Sequence, residues 1–195
     1  MVRVLLIRHT EVAAHWKGRC YGQSDVGLSS VGRRAARSLA EDIADRVAIR
    51  IVSSPLRRAR FLAGSIAWHA TGRDGGDGPA KPDPRFIIEP RLAECNFGAW
   101  EGRPWSEIYA ETGAAMMGMI AAPGTFRPGG DGETTYELRN RAMDWLTSLP
   151  LHEPVVVAVA HGGPIAAIRG TLAGSPAQDW PTLVPAYGEV VEIEV

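Results

Sequence analysis

Three largely apolar runs, Val2–Ile7, Ile49–Val52 and Val155–Ala160, punctuate an otherwise mixed chain. Each is short, rich in β-branched residues and free of regular polar alternation, the pattern of strands buried on both faces of a parallel sheet. Val190–Val195, with Glu189, Glu192 and Glu194 about it, predicts a further strand at an exposed edge, and Phe86–Ile88 is another short candidate. Between the runs the period becomes helical. Val31, Ala35, Leu39, Ile43 and Val47 recur every four residues, with Arg33, Arg37, Glu41 and Asp45 off that stripe and Ser29 or Ser30 placed to cap the helix start. Leu56–Ala70, Glu133–Leu149 and Ile165–Leu172 predict three more helices, the last opening after Gly162-Gly163. Strands alternating with helices predict an α/β fold, a three-layer α/β/α sandwich about a mostly parallel central sheet. Thr71–Pro84, rich in Gly, Pro and Asp, reads as a surface loop. Residues 95–130 are less regular and hold Trp100, Trp105 and the Met116–Met119 patch, which suggests a small helical insert packed over the sheet.

Composition narrows the class. The 195 residues suit one domain spanning 1–195, and 45% apolar with 22% charged residues is ordinary globular chemistry. No apolar run reaches the roughly 20 residues that cross a bilayer. The first run passes straight into Arg8-His9 rather than a small-residue cleavage site, so it reads as a strand, and a cytoplasmic location without a membrane partner is expected. A net charge of −1 offers no basic field for nucleic acid. Cys20 and Cys95 form no CxxC pair and are expected as reduced thiols. A homodimer is left open.

Polar residues with catalytic potential directly follow the apolar runs: Arg8 and His9 the first, Ser53 to Arg58 the second, His161 the third. In an open parallel sheet the carboxyl ends of strands share one edge, where ligands bind. Three distant segments should therefore bring two histidines and several arginines together. Guanidinium forks match phosphate oxygens and stay charged. A neutral imidazole attacks phosphorus, and Gly162-Gly163 lets helix-start amides approach an anion. A carboxyl group is still needed to protonate a departing alkoxide. Arg33, Arg34 and Arg37 read instead as a solvated helix face, Arg57 and Arg60 as solvated flanks of Arg58, and His69 and His152 as structural histidines.

Five blocks then carry a resemblance. Ile7-Arg8-His9-Thr10-Glu11 resembles the signature of the histidine phosphatase superfamily, which includes cofactor-dependent phosphoglycerate mutase. Gly22-Gln23-Ser24-Asp25 with Leu28-Ser29 and Gly32, Ser53 to Ala59, Leu92 to Gly102, and Gly132-Glu133-Thr134 with Arg141 and Ala160-His161-Gly162-Gly163 follow in the family's order. The resemblance implies a phosphoglycerate mutase-like fold and a phosphohistidine formed on His9. It implies that Arg8, Arg58 and His161 hold the phosphoryl oxygens and that Glu94 is the proton donor. Gln23 and Gly162 fall where substrate or phosphate is contacted. His15 replaces a phosphate-contacting asparagine and either donates to the same oxygen or is a loop histidine. Thr10, Gly27 and Leu62 depart from the common pattern. No metal and no cofactor is implied.

Rival chemistries lack their motifs: there is no G-x-S-x-G elbow, no Walker loop and no H-E-x-x-H. A non-catalytic member that binds phosphorylated ligands or partner proteins would be expected to lose the nucleophile or the acid, and both are present. The resemblance leaves phosphoglycerate mutase-type transfer as the alternative to hydrolysis. The short span between Trp100 and Glu133 favours hydrolysis, because a mutase must cover its phosphoenzyme from water. The expected substrate is a small phosphomonoester. The Cys20 to Asp25 segment is similar to a bacterial branch grouped with α-ribazole phosphatase, which points to α-ribazole 5′-phosphate or a sugar phosphate.

Overall fold

The computed structural model describes residues 1–44, 50–70, 86–150 and 155–195. The expected loop Thr71–Pro84 and residues Asp45, Val47, Ile49 and His152 lie outside them. Five strands form one sheet: β1 (Arg3–Arg8), β2 (Arg50–Ser53), β3 (Phe86–Ile88), β4 (Val155–Ala160) and β5 (Val190–Glu194). Their order is β3-β2-β4-β1-β5. All neighbours are parallel except β5, which runs antiparallel to β1 at the edge its glutamates foretold.

Helices α1 (Ser30–Ala44) and α2 (Arg57–Ala70) cover one face, where Ala36, Ala40, Ile43, Leu62 and Ile66 pack on Leu5, Ile7, Ile51, Val157 and Val159. The other face carries Trp145, Leu146, Ile165 and Ile168 against Val4, Leu6, Val52, Val156 and Ala158. Along the chain α2 is followed by α3 (Trp105–Thr112) and α4 (Gly118–Ala121), then by α5 (Thr135–Thr147) and α6 (Gly162–Leu172), whose residues make that second layer. Alternate residues of β1 and β4 thus feed opposite cores, which is why their runs show no polar alternation. The irregular segment does not lie flat on the sheet. Phe97, Trp100, Trp105, Ile108, Met119 and Phe126 gather with Cys20 into a small core of their own.

One expected stripe is corrected. In α1 Val31 and Ala35 face solvent, and the buried positions are Gly32, Ala36, Ala40 and Ile43. A four-residue repeat drifts about 40° around an α-helix at each step, so the Val31 stripe cannot stay on one face. Small residues hold the inner face instead, because the chain packs tightly there: a Cβ on Gly32 would lie 2.1 Å from the Glu11 carbonyl oxygen. Ser29 is the cap, its hydroxyl accepting from Gly32 N–H at 2.8 Å.

Candidate active site

The sheet itself brings the site together. In register, Arg8 stands opposite Ala160 and Ser53 opposite Val159, so β1, β2 and β4 end at one level. The ladder then runs one bond further on each side of β4: His9 N–H donates to Ala160 O at 3.1 Å and Ser54 N–H to Val159 O at 2.9 Å. His9, Ser54 and His161 therefore leave the sheet side by side. The His9 and His161 ring centroids are 5.1 Å apart.

His9 is buried, and its Nδ1 lies 2.7 Å from the Thr10 carbonyl oxygen. A carbonyl can only accept, so Nδ1 carries the hydrogen and Nε2 keeps its lone pair. Burial, with the charge of Arg58 and then Arg8 beside it, lowers the His9 pKa to about 3. The ring is thus neutral and nucleophilic at physiological pH. His161, fully buried at the start of α6, has its pKa held well below the ordinary value, chiefly by burial and by Arg58. Its Nε2 is 2.6 Å from Ser54 Oγ, which also accepts from Leu56 N–H. Among the described residues His161 Nε2 is the acceptor within reach of the Ser54 hydroxyl hydrogen, so Ser54 donates to it, leaving Nδ1–H as the free donor.

Arg58 is fully buried in the first turn of α2. Its Nη1 donates to Ser24 O at 2.8 Å and its Nη2 to Gly22 O at 2.6 Å. Burial lowers its pKa, yet a guanidinium stays charged. Arg8 donates from Nη1 to Pro185 O at 2.7 Å and stacks 4.2 Å from the Tyr187 ring centroid, while Arg58 lies 5.1 Å from that of Tyr21. The two tyrosine hydroxyls meet at 2.8 Å. Among the described residues, three buried side-chain nitrogens have no hydrogen-bond partner: Arg8 Nε, Arg58 Nε and His161 Nδ1. All three belong to residues around the His9 ring. Orphaned buried donors are costly, and three at one place have the geometry to donate together to an anion.

Glu94 faces the same space from the other side. Its carboxylate accepts from Cys95 N–H at 2.9 Å and from Gly163 N–H at 3.2 and 3.3 Å. Gly163 leaves room for that carboxylate, since a Cβ there would sit 2.3 Å from Glu94 Oε1 and displace it. Arg141, on α5, holds the segment in place. It donates to the carbonyls of Arg91, Ala93 and Glu94 and forks onto Glu133. Gln23 is exposed, and its amide donates to the Glu94 carbonyl at 3.0 Å. Glu101 accepts from Gln23 N–H and Ser24 Oγ, tying the two loops together.

His9, His161, Arg8, Arg58, Glu94 and Gly162 thus come together. His15 does not: it is exposed and lines a separate recess with Trp16, Gly27, Arg33, Arg57 and Phe61. Gln23 braces the Glu94 loop through its side-chain nitrogen. Ser54 falls in the Ser53 to Arg58 stretch marked after the second run, though the sequence gives it no role of its own, and Tyr21, Tyr187 and Pro185 are not marked for the site. Tyr187 and Pro185 carry no local signal, because they reach Arg8 only through the sheet edge made by β5. Trp180, rather than Trp100 or Trp105, borders the cavity at the site. Cys20 and Cys95 are free and buried, and burial pushes the Cys20 thiol up to about 12. Among the described residues no helix is long and apolar enough to cross a membrane.

An α/β sheet whose strand ends gather two neutral buried histidines and two arginines has the chemistry of a phosphoryl-transfer protein. Residues 4–195 match the family model described as histidine phosphatase superfamily (branch 1), and the chain belongs to that superfamily. It is 34% identical over 190 residues to a glucosyl-3-phosphoglycerate phosphatase of Mycolicibacterium vanbaalenii, an alignment covering 93% of this chain and 78% of the relative. The solved structure of a mycobacterial glucosyl-3-phosphoglycerate phosphatase complexed with VO3 superposes with a TM-score of 0.80 at 30% identity, covering 98% and 92% of the two chains. The α-ribazole phosphatase of Shigella flexneri shares the fold at a TM-score of 0.78 and 23% identity, over 99% of this chain and 90% of that one. The chain is a phosphatase with a histidine nucleophile that acts on a small phosphorylated metabolite.

Proposed function

We propose that His9 is that nucleophile, that Arg8, Arg58 and His161 hold the phosphoryl group, and that Glu94 is the acid and then the base. The observation that carries the reading is the set of three buried nitrogens without partners, Arg8 Nε, Arg58 Nε and His161 Nδ1, around a histidine whose free lone pair is on Nε2. In the first step His9 Nε2 attacks phosphorus. The P–O bond to the alcohol breaks as the P–N bond forms, and the departing oxygen takes the Glu94 proton. Guanidinium and imidazole N–H groups already aimed at the equatorial oxygens stabilise the charge there without reorganising. In the second step water gives a proton to Glu94 and its oxygen attacks phosphorus. The P–N electron pair returns to Nε2, and phosphate leaves.

Sugar phosphates and α-ribazole 5′-phosphate are the candidate substrates, and the mycobacterial relatives add glucosyl-3-phosphoglycerate. Phosphate release should be measured on each, with 3-phosphoglycerate included to detect phosphate migration. Release without migration supports hydrolysis, whereas dominant migration would replace it with mutase chemistry. His9→Ala should lose turnover by at least about a thousandfold with an unchanged circular dichroism spectrum. Persisting activity would remove His9 from the reaction. Glu94→Gln should slow alkyl esters by about a hundredfold and activated aryl esters far less, because only a poor leaving group needs the proton. Equal losses on both would count against the acid role.

A further inference from the structure

A cavity of about 290 Å³ opens from Arg8 and Glu94, and beyond them its wall is almost wholly hydrocarbon. Met119, Ile120, Leu138, Ala166, Trp180 and Val184 form most of it. The polar side chains of the wall are already engaged. Thr135 Oγ1 donates to Met119 O at 2.6 Å, and Cys95 Sγ is 3.7 Å from the carbonyl oxygens of Asn96 and Glu133. Trp180 Nε1 donates to Ser175 O at 3.0 Å. Trp180 is also fixed in place, seated so closely on Gly170 that a Cβ there would lie 2.2 Å from its ring. Past the phosphoryl end, among the described residues, no side chain lining this cavity offers an uncommitted donor. The acceptors left are the Thr135 hydroxyl oxygen and the weakly accepting sulfurs of Cys95 and Met119. A sugar lodged there would bury most of its hydroxyls without good partners, whereas a hydrocarbon ring would only leave water.

We infer that this cavity receives the alcohol portion of the substrate and selects phosphomonoesters of apolar, ring-bearing alcohols over sugar phosphates. The inference rests on the proposed placement of the phosphoryl group between Arg8, His9 and Glu94, because the cavity begins where the leaving oxygen would be. An apolar protein cavity of ~150 Å³ takes up a benzene ring, so the space here matches a group of about two fused rings. Continuity with the phosphoryl end separates this cavity from an ordinary packing gap. Arg8, Glu94, Gly162 and Gly163 belong to the same wall.

The test compares two primary alkyl esters, so that leaving-group acidity is matched: 2-(1-naphthyl)ethyl phosphate and glucose 6-phosphate. The naphthyl ester should have the higher kcat/KM by about 10- to 100-fold, the scale on which apolar pockets discriminate. Ala166→Leu, which fills the cavity away from the reacting groups, should erase that preference while leaving ethyl phosphate hydrolysis unchanged. Ile120→Asn, at the half-buried edge of the cavity, should reduce the preference in the same sense and serves if the leucine variant does not fold. Equal or better turnover of glucose 6-phosphate, or variants that lower all three esters alike, would overturn the inference and leave the proposed chemistry standing. Failure of the wild-type protein to hydrolyse any of the three would instead sink the chemistry on which it rests.

Discussion

A single hydroxyl decides which nitrogen of His161 carries the hydrogen. Ser54 Oγ lies 2.6 Å from His161 Nε2, the acceptor among the described residues within reach of its hydrogen, so the imidazole hydrogen is left on Nδ1. Thr10 does the same for His9 with a main-chain carbonyl, leaving Nε2 bare. The two histidines thus present opposite groups, one an N–H donor and the other a bare lone pair, though both are neutral. Ser54→Ala should leave the fold intact and reduce kcat by about tenfold, more than it raises KM, because the donor is lost in the charged transition state. Steady-state kinetics on one alkyl ester checks this, and a change confined to KM would contradict the tautomer assignment. At this scale the meeting of Arg8, His9, Arg58 and His161 was legible in the sequence, since Arg8-His9 and His161 directly follow apolar runs and Arg58 lies in the helix that follows another. The tautomers were not, because they depend on an oxygen 107 positions from His161 in the chain.

Among the elements, α5 matters most for the site although it supplies no reacting group. Its start is capped by Thr134, with Glu137 reciprocating, a T-x-x-E capping box that the expected start at Glu133 overlooked. That cap points the helix so that Arg141 meets Glu133 and three carbonyls of the Glu94 segment. Arg141→Ala should cost about 3 kcal/mol in urea unfolding, since it strands a mostly buried carboxylate and three carbonyls. It should also slow alkyl esters more than aryl esters, because it loosens the acid. Arg141→Lys should recover only part of both, lacking the planar fork. Full activity in the alanine variant would show that Cys95, Gly163 and Gln23 hold Glu94 without Arg141. The corrected face of α1 has the opposite origin. Its buried side is set by how closely the backbone approaches Glu11, and small residues there give a weak hydrophobic pattern.

For the whole molecule, the cost of keeping two histidines neutral appears as acid sensitivity. In the unfolded chain both titrate near 6.5, while in the fold His9 is lowered to about 3 and His161 is held well below 6.5. Below pH 6.5 the unfolded chain therefore binds protons that the fold excludes. Stability present above 6.5 is lost as pH falls toward the folded values, by about 1.4 kcal/mol per pH unit for each histidine. Urea unfolding at pH 7.5, 6 and 5 should show midpoints falling together with ΔG. A His161→Asn variant that folds should show roughly half the slope. A flat profile from pH 7 to 5 would mean that the histidines take up protons in the folded state.

The layered sheet, its parallel core and its exposed last strand follow from sequence alone, because burial on both faces imposes continuous apolar runs and edge exposure admits charge. The gathering of two histidines and an arginine at one edge follows too, since strand ends in a parallel sheet must share an edge. Only the tertiary structure decided what lies beyond that edge. The carbonyls that hold Arg58, the Pro185 and Tyr187 contacts on Arg8, the exposed recess of His15 and the apolar wall beside Glu94 come from segments far apart in the chain. No local period or motif encodes such meetings, because they arise where separate loops close over the same strand ends.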